Sequence, residues 1–241
     1  MVDSHRFTTK SRKINSNGEL QWGGGEGWDG TIDQQDGVKV ENGSVVPLTL
    51  ADQTFLEDFE DGDVSDWSVT VETSGFLWQN ASSPTHSGSH SGRLYADGQG
   101  YAHRSFTRTA NPGPYVAWVR QTNDPFDDVK ISWQSDGEGT IFSLNFNRET
   151  TQNVHVHGNN RGWAFPSDTW VRIVVYNVGF DTGTYDWKVE RGDGYVYDSG
   201  SNTFDVTSIT GIDRVRLRAA HYGRGLGEFY FDDISIGVES P

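Results

Sequence analysis

From Phe55 onward, apolar and polar residues alternate with period two along most of the chain, as in strands with one buried face. The pattern predicts strands over Tyr115 to Arg120, Val129 to Gln134, Ile141 to Arg148 and Val154 to His157. Others follow over Trp170 to Asn177, Tyr185 to Glu190 and Arg214 to Ala219. Turn-forming stretches separate them, among them Ser135-Asp136-Gly137, Gly158-Asn159-Asn160, Asp181-Thr182-Gly183 and Gly192-Asp193-Gly194. No helical period runs longer than a turn or two. Many short strands at this spacing predict an all-β sandwich or barrel. Two acidic motifs bracket it: Asp58-Phe59-Glu60-Asp61-Gly62-Asp63, closed by Trp67, and Phe231-Asp232-Asp233-Ile234. Pairing of the first and last strands is expected to bring them together.

Residues 1–50 follow another pattern. Arg6, Lys10, Arg12 and Lys13 give a basic tip, and Gly23-Gly24-Gly25-Glu26-Gly27 a flexible joint. Val38, Val40, Val45 and Val46 around Asn42-Gly43 predict a short hairpin. The expected organisation is an extended N-terminal arm over 1–50 and a sandwich over 51–241. Residues 1–30 are either a disordered terminus or a segment that docks on another subunit.

Composition sharpens this. Only 34% of residues are hydrophobic and the mean hydropathy is −0.64, yet nine Trp, nine Tyr and thirteen Phe supply a core from few positions. The net charge of −15 excludes a general basic footprint for nucleic acid. It arises from 23 Asp and 11 Glu against 14 Arg and five Lys. Asp-rich, Lys-poor surfaces point to a haloarchaeal source, with an acidic extracellular protein as the alternative. Cysteine is absent, which removes disulfides and thiolate metal sites. No apolar run reaches membrane-spanning length, so membrane insertion is not expected.

Phe59-Glu60-Asp61-Gly62, Trp67, Gly88-Ser89-His90-Ser91-Gly92-Arg93-Leu94, Trp170-Val171-Arg172-Ile173, Tyr185-Asp186-Trp187-Lys188-Val189 and Phe231-Asp232-Asp233-Ile234 occur in that order. In this the chain resembles the concanavalin A-like, laminin-G-like jelly-roll superfamily of lectins, laminarinase-type glucanases and carbohydrate-binding modules. The resemblance covers about residues 53–238 and implies an antiparallel jelly-roll β-sandwich. It also implies a structural Ca²⁺ where the first and last strands meet, held by Glu60, Asp61 and Asp232, with Asp63 and Asp233 behind them. Solvated acids, with Asp232 capped by backbone N–H groups, are the alternative. Asp232 shares alternation with Ile234 and Ile236, which predicts an inward carboxylate.

The strand register also predicts a polar outer face. Arg214, Arg216 and Arg218 alternate with Val215 and Leu217, and Asn145 and Asn147 with Leu144 and Phe146. His155 and His157 alternate with Val154 and Val156, and Arg120 and Gln134 fit the same set. Guanidinium forks beside amides suit carboxylate or sulfate groups on a glycan; cross-strand ion pairing is the alternative use. Trp78, Trp118, Trp163 and Tyr222 are candidate sugar-stacking aromatics, Trp118 foremost, whereas Trp133 and Trp187 share faces with core residues. His155 and His157 also stand at metal-binding spacing, without a third ligand.

Catalysis is not expected. Retaining glucanases of the superfamily carry Glu-x-Asp-x-x-Glu, and no stretch here fits. His86, Ser87 and His90 lie in a Gly/Ser loop rather than a triad pattern. With Met1 followed by no export signal, the expectation is a non-catalytic surface subunit of a haloarchaeal virion. It would be homo-oligomeric, docked to other virion subunits through residues 1–30, and able to bind host glycan. A secreted haloarchaeal carbohydrate-binding module is the alternative, and a glycoside hydrolase a more distant one.

Overall fold

A computed structural model describes the side chains of residues 57–95, 98–110, 113–122, 129–135, 139–146, 153–204, 209–219 and 228–237, together with the backbone of the strands named next. The chain divides into two units, 1–53 with Pro241 and 54–240. In the first, β1 (Ser11–Ile14) pairs with β2 (Leu20–Gly23), and β3 (Val38–Glu41) with β4 (Ser44–Pro47), Glu41 lying opposite Ser44. The docking role expected of residues 1–30 otherwise lies outside the described residues.

The second unit contains β5 (Phe55–Glu57), β6 (Ser68–Val71), β7 (Phe76–Ala81), β8 (Ser91–Ala96), β9 (Gly100–Thr109), β10 (Tyr115–Thr122), β11 (Asp128–Ser135) and β12 (Gly139–Asn145). It continues with β13 (His155–Val156), β14 (Asn159–Asn160), β15 (Val171–Gly179), β16 (Thr184–Arg191), β17 (Val196–Thr203), β18 (Ile212–Ala220) and β19 (Gly227–Ile236). Sheet I runs β17-β16-β15-β10-β19-β8-β7, with β5 also on β19; sheet II runs β14-β13-β12-β11-β18-β9-β6. Ladders between these strands are antiparallel, and no helix occurs among the described residues. The unit is an all-β jelly-roll sandwich: alternation predicts the sandwich, and the resemblance implies the jelly roll.

The core forms from inward alternate positions: Tyr115, Ala117 and Val119 on β10, Ile131 and Trp133 on β11, Val215 and Leu217 on β18. Phe229 and Phe231 enter it from β19, and so do Ile234 and Ile236, which break the period of two. The break is a register shift: Trp118 faces Asp232 but Val116 faces Ser235, and Asp233 takes φ +46°. The bulge turns Asp232 to the outer face of sheet I, which corrects the inward orientation expected from strict alternation.

Trp78, expected on the surface, belongs to the core. Its ring lies 5.0 Å from that of Trp67, 5.8 Å from Phe59 and 6.1 Å from Phe231. Trp163, another expected platform, stacks on Tyr197 at 5.5 Å and 12°, and its Nε1 donates to Asp198 at 3.0 Å. Arg161, just after edge strand β14, donates twice to Asp198 on edge strand β17, at 2.7 and 3.0 Å. Asp198 thus ties one sheet's edge to the other.

Burial raises the Asp198 carboxyl, but the bonds from Arg161 and Trp163 outweigh it and hold the group below the ordinary aspartate value. An acid depressed in the folded state stabilises above its unfolded pKa and loses that contribution as pH falls through the folded value. Asp198→Asn is therefore expected to unfold less steeply with acid below about pH 4, measured as thermal midpoint against pH. Parallel profiles for the two proteins would refute this role.

Candidate functional site

The outer face of sheet II carries the polar positions. Because Val129, Ile131 and Trp133 point into the core, Lys130, Ser132 and Gln134 point out. Register sets Lys130 opposite Arg218, Ser132 opposite Arg216, and Gln134 opposite Arg214. On the other side of β18, Tyr101 faces Arg218, His103 faces Arg216, and Ser105 faces Arg214. Thr70 and Ser68 on β6 continue these rows past Tyr101 and His103. Across β11, Asn145 faces Lys130 and Ser143 faces Ser132; His155 in turn faces Asn145.

Arg216 is the centre of this face. Its guanidinium carbon lies 3.7 Å from the Tyr101 ring centroid, a cation–π contact that holds the fork over the ring. Its Nε is buried with no hydrogen-bond partner. Among the described residues, no carboxylate lies within ion-pairing distance of it. Burial, with Arg218 and Arg214 alongside, pulls its pKa below the ordinary arginine value, against the opposing pull of Tyr101 and Glu72. Arg218 stands 3.9 Å from Glu72.

His157 takes φ +52° at the turn after β13, and its N–H donates to the Ser143 carbonyl at 2.9 Å. Burial, then the charge of Lys130, lowers its pKa, which keeps the imidazole neutral. His155 is buried, with Nδ1 3.2 Å from the Gly158 carbonyl oxygen. It shapes the β13–β14 turn, so its expected exposure to ligand is corrected. Asn147 and Tyr222 lie outside the described residues.

Trp118 and Arg120 do not join this face, because β10 belongs to sheet I. Trp118 is only 5% exposed, and His86 stacks on it at 3.6 Å and 17°. The Trp118 side chain is thus covered by the loop between β7 and β8 and is not an open stacking platform. Arg120 pairs with Asp168 at 3.1 Å.

The acidic brackets act on that same loop. Glu60 Oε1 accepts the N–H groups of Ser89 and His90, each at 2.8 Å. Asp232 Oδ2 accepts those of His86 at 2.8 Å and Ser87 at 3.3 Å. Asp233 receives the Ser87 hydroxyl at 3.0 Å and lies 2.6 Å from His86 Nδ1. Burial, reinforced by Asp233, pushes the Asp232 carboxyl up to about 7. Asp61 is exposed, and its Oδ1 accepts the Asp63 N–H. Calcium takes about six to eight oxygens in one shell. Among the described residues no three His, Asp or Glu side chains converge for a metal. Glu60 and Asp232 instead spend oxygens on backbone N–H groups, so this donor set does not fit the cation. Ser87 bonds to Asp233 rather than to His86, so the loop does not form a nucleophile–base pair either.

Three members of the polar face escaped the sequence reading: Tyr101, His103 and Lys130. Tyr101 and His103 alternate with Ala102, a signal hidden because Ala is a weak apolar marker. Lys130 sits one place after Val129 in a strand that was foreseen.

No family model matches the sequence, and no curated protein does. Among solved structures, the sandwich is similar to the cellulose-induced protein Cip1, with TM-score 0.52 and 17% identity over 76% of this chain and 96% of that one. At this identity the likeness is one of fold. A Bacillus licheniformis β-glucanase follows at TM-score 0.45 and 12% identity, covering 78% of this chain and 99% of its own. A Lotus tetragonolobus seed lectin reaches 0.44 and 12%, covering 70% and 96%. The last two scores are too low to carry the comparison further.

Proposed function

We propose that this chain is a non-catalytic glycan-binding β-sandwich whose contact surface is the outer face of sheet II. One observation carries the reading: Arg216, held over the Tyr101 ring without a carboxylate partner among the described residues, stands among hydroxyl and amide side chains able to meet sugar hydroxyls. A retaining glycosidase needs two carboxyl groups about 5–5.5 Å apart. The rows through Arg214, Arg216 and Arg218 contain no Asp or Glu among the described residues, which favours binding over hydrolysis there. The expectation of a haloarchaeal virion subunit that is oligomeric and surface-located rests on the acidic composition and the N-terminal sequence alone. The glycan reading stands without it, and without calcium.

Affinity electrophoresis through gels containing soluble polysaccharides, both neutral and acidic, tests the proposal. Retardation by at least one of them is expected, reduced by Tyr101→Ala and accompanied by no release of reducing ends. If no polysaccharide retards the protein, the proposal fails.

A further inference from the structure

The charge pattern of the same face points to one class of glycan and to the direction in which it lies. Most described arginines of the sandwich have carboxylates, Arg218 of this row among them, 3.9 Å from Glu72. Arg93 pairs with Glu228, Arg108 with Asp213, Arg161 with Asp198, Arg172 with Glu190 and Arg191 with Asp193. With 34 acids for 19 basic residues in the chain, such neutralisation is the easy outcome. Arg216 departs from it: among the described residues no carboxylate lies within ion-pairing distance, and two further arginines flank it on β18. Like charges gathered on one strand are destabilising. An incoming anion removes that cost.

We infer that the Arg214–Arg216–Arg218 row binds a polysaccharide bearing carboxylate or sulfate groups, laid along β18 and anchored at the Arg216 fork. This rests on the proposed glycan-binding role of sheet II. Alternate residues on a strand repeat at roughly 6.8 Å, so an extended chain with anionic groups on successive sugars meets more than one guanidinium. Tyr101 supplies a shelf beneath the Arg216 fork, and the neighbouring exposed Ser68 and Thr70 are left for uncharged hydroxyls. The anion is a carboxylate or a sulfate, and both dock on a guanidinium through paired N–H groups.

Three polymers on one backbone separate the possibilities: dextran, carboxymethyl-dextran and dextran sulfate, titrated calorimetrically into the intact chain. Either or both charged polymers are expected to bind and neutral dextran not to; which charged polymer binds more tightly identifies the anion. Arg216→Gln should weaken charged-polymer binding about tenfold, the scale of one charge-assisted hydrogen bond, without lowering the thermal midpoint. His103→Glu places a carboxylate in register with Arg216 and is expected to abolish binding while leaving the fold at least as stable. Equal binding of dextran and its charged derivatives, or full affinity in a folded His103→Glu protein, overturns the inference and leaves glycan binding standing. Failure of all three dextrans, together with every polysaccharide of the electrophoretic panel, removes both.

Discussion

Glu57→Ala is expected to cost the sandwich roughly 2–6 kcal/mol, about 1–3 for each of the two buried donors it leaves without an acceptor. Glu57 is 5% exposed. One carboxylate oxygen accepts the Phe59 N–H at 3.0 Å; the other accepts the Trp67 indole at 3.0 Å and is paired with Arg104. Alanine strands two buried donors, while Arg104 retains Asp66 at 2.8 Å. Burial, against the pull of Arg104, pushes the Glu57 carboxyl above the ordinary glutamate value. Glu57→Gln gives up the charge but keeps an acceptor, and should therefore lose less. Urea unfolding of the three proteins measures the order; an alanine variant as stable as the parent would contradict it.

Gly92→Ala is the second large effect, and it acts through space rather than charge. A Cβ on Gly92 would collide with Trp78 Cη2 and lie 2.7 Å from Phe59 Cζ. Both rings are buried in one cluster with Trp67 and Phe231, beside β7 at the edge of sheet I. Overpacking of this kind costs about 1–3 kcal/mol. Adding Trp78→Phe should recover part of that loss, because the smaller ring vacates the space the methyl group needs. Strictly additive losses in the double variant would show that the strain lies elsewhere.

Gly92 also shows where sequence reading stops. The strands it foresaw, such as β10, β11 and β18, alternate large apolar side chains with polar ones. β8 was passed over because one of its inward positions is a glycine, empty so that aromatic rings from other strands can fill it. β17 was missed for a different reason: as an edge strand, with all of its residues exposed or half-buried, it has no apolar period to read. The polar face could be read in its arginines, since strict alternation along β18 fixes their side of the sheet. Placing Trp118 and Arg120 with them failed because alternation gives the face of a strand and not the sheet that it joins. Asp232 failed through a single bulge residue, which no periodicity announces.

The order of strands has a consequence for how the protein is made. β19 lies in the interior of sheet I, between β10 and β8 and also on β5, and β18 lies in the interior of sheet II, between β11 and β9. The two strands latest in the sandwich sequence therefore hold the centres of both sheets. While they remain in the ribosome, the earlier strands have a gap where each sheet should be continuous, and their apolar faces stay uncovered. Long-range pairings of this kind form slowly and leave partly built sheets prone to association. Synthesis must pass Ile236 before the sandwich can close, so the strands made earlier wait for the last two rather than folding in the order in which they emerge.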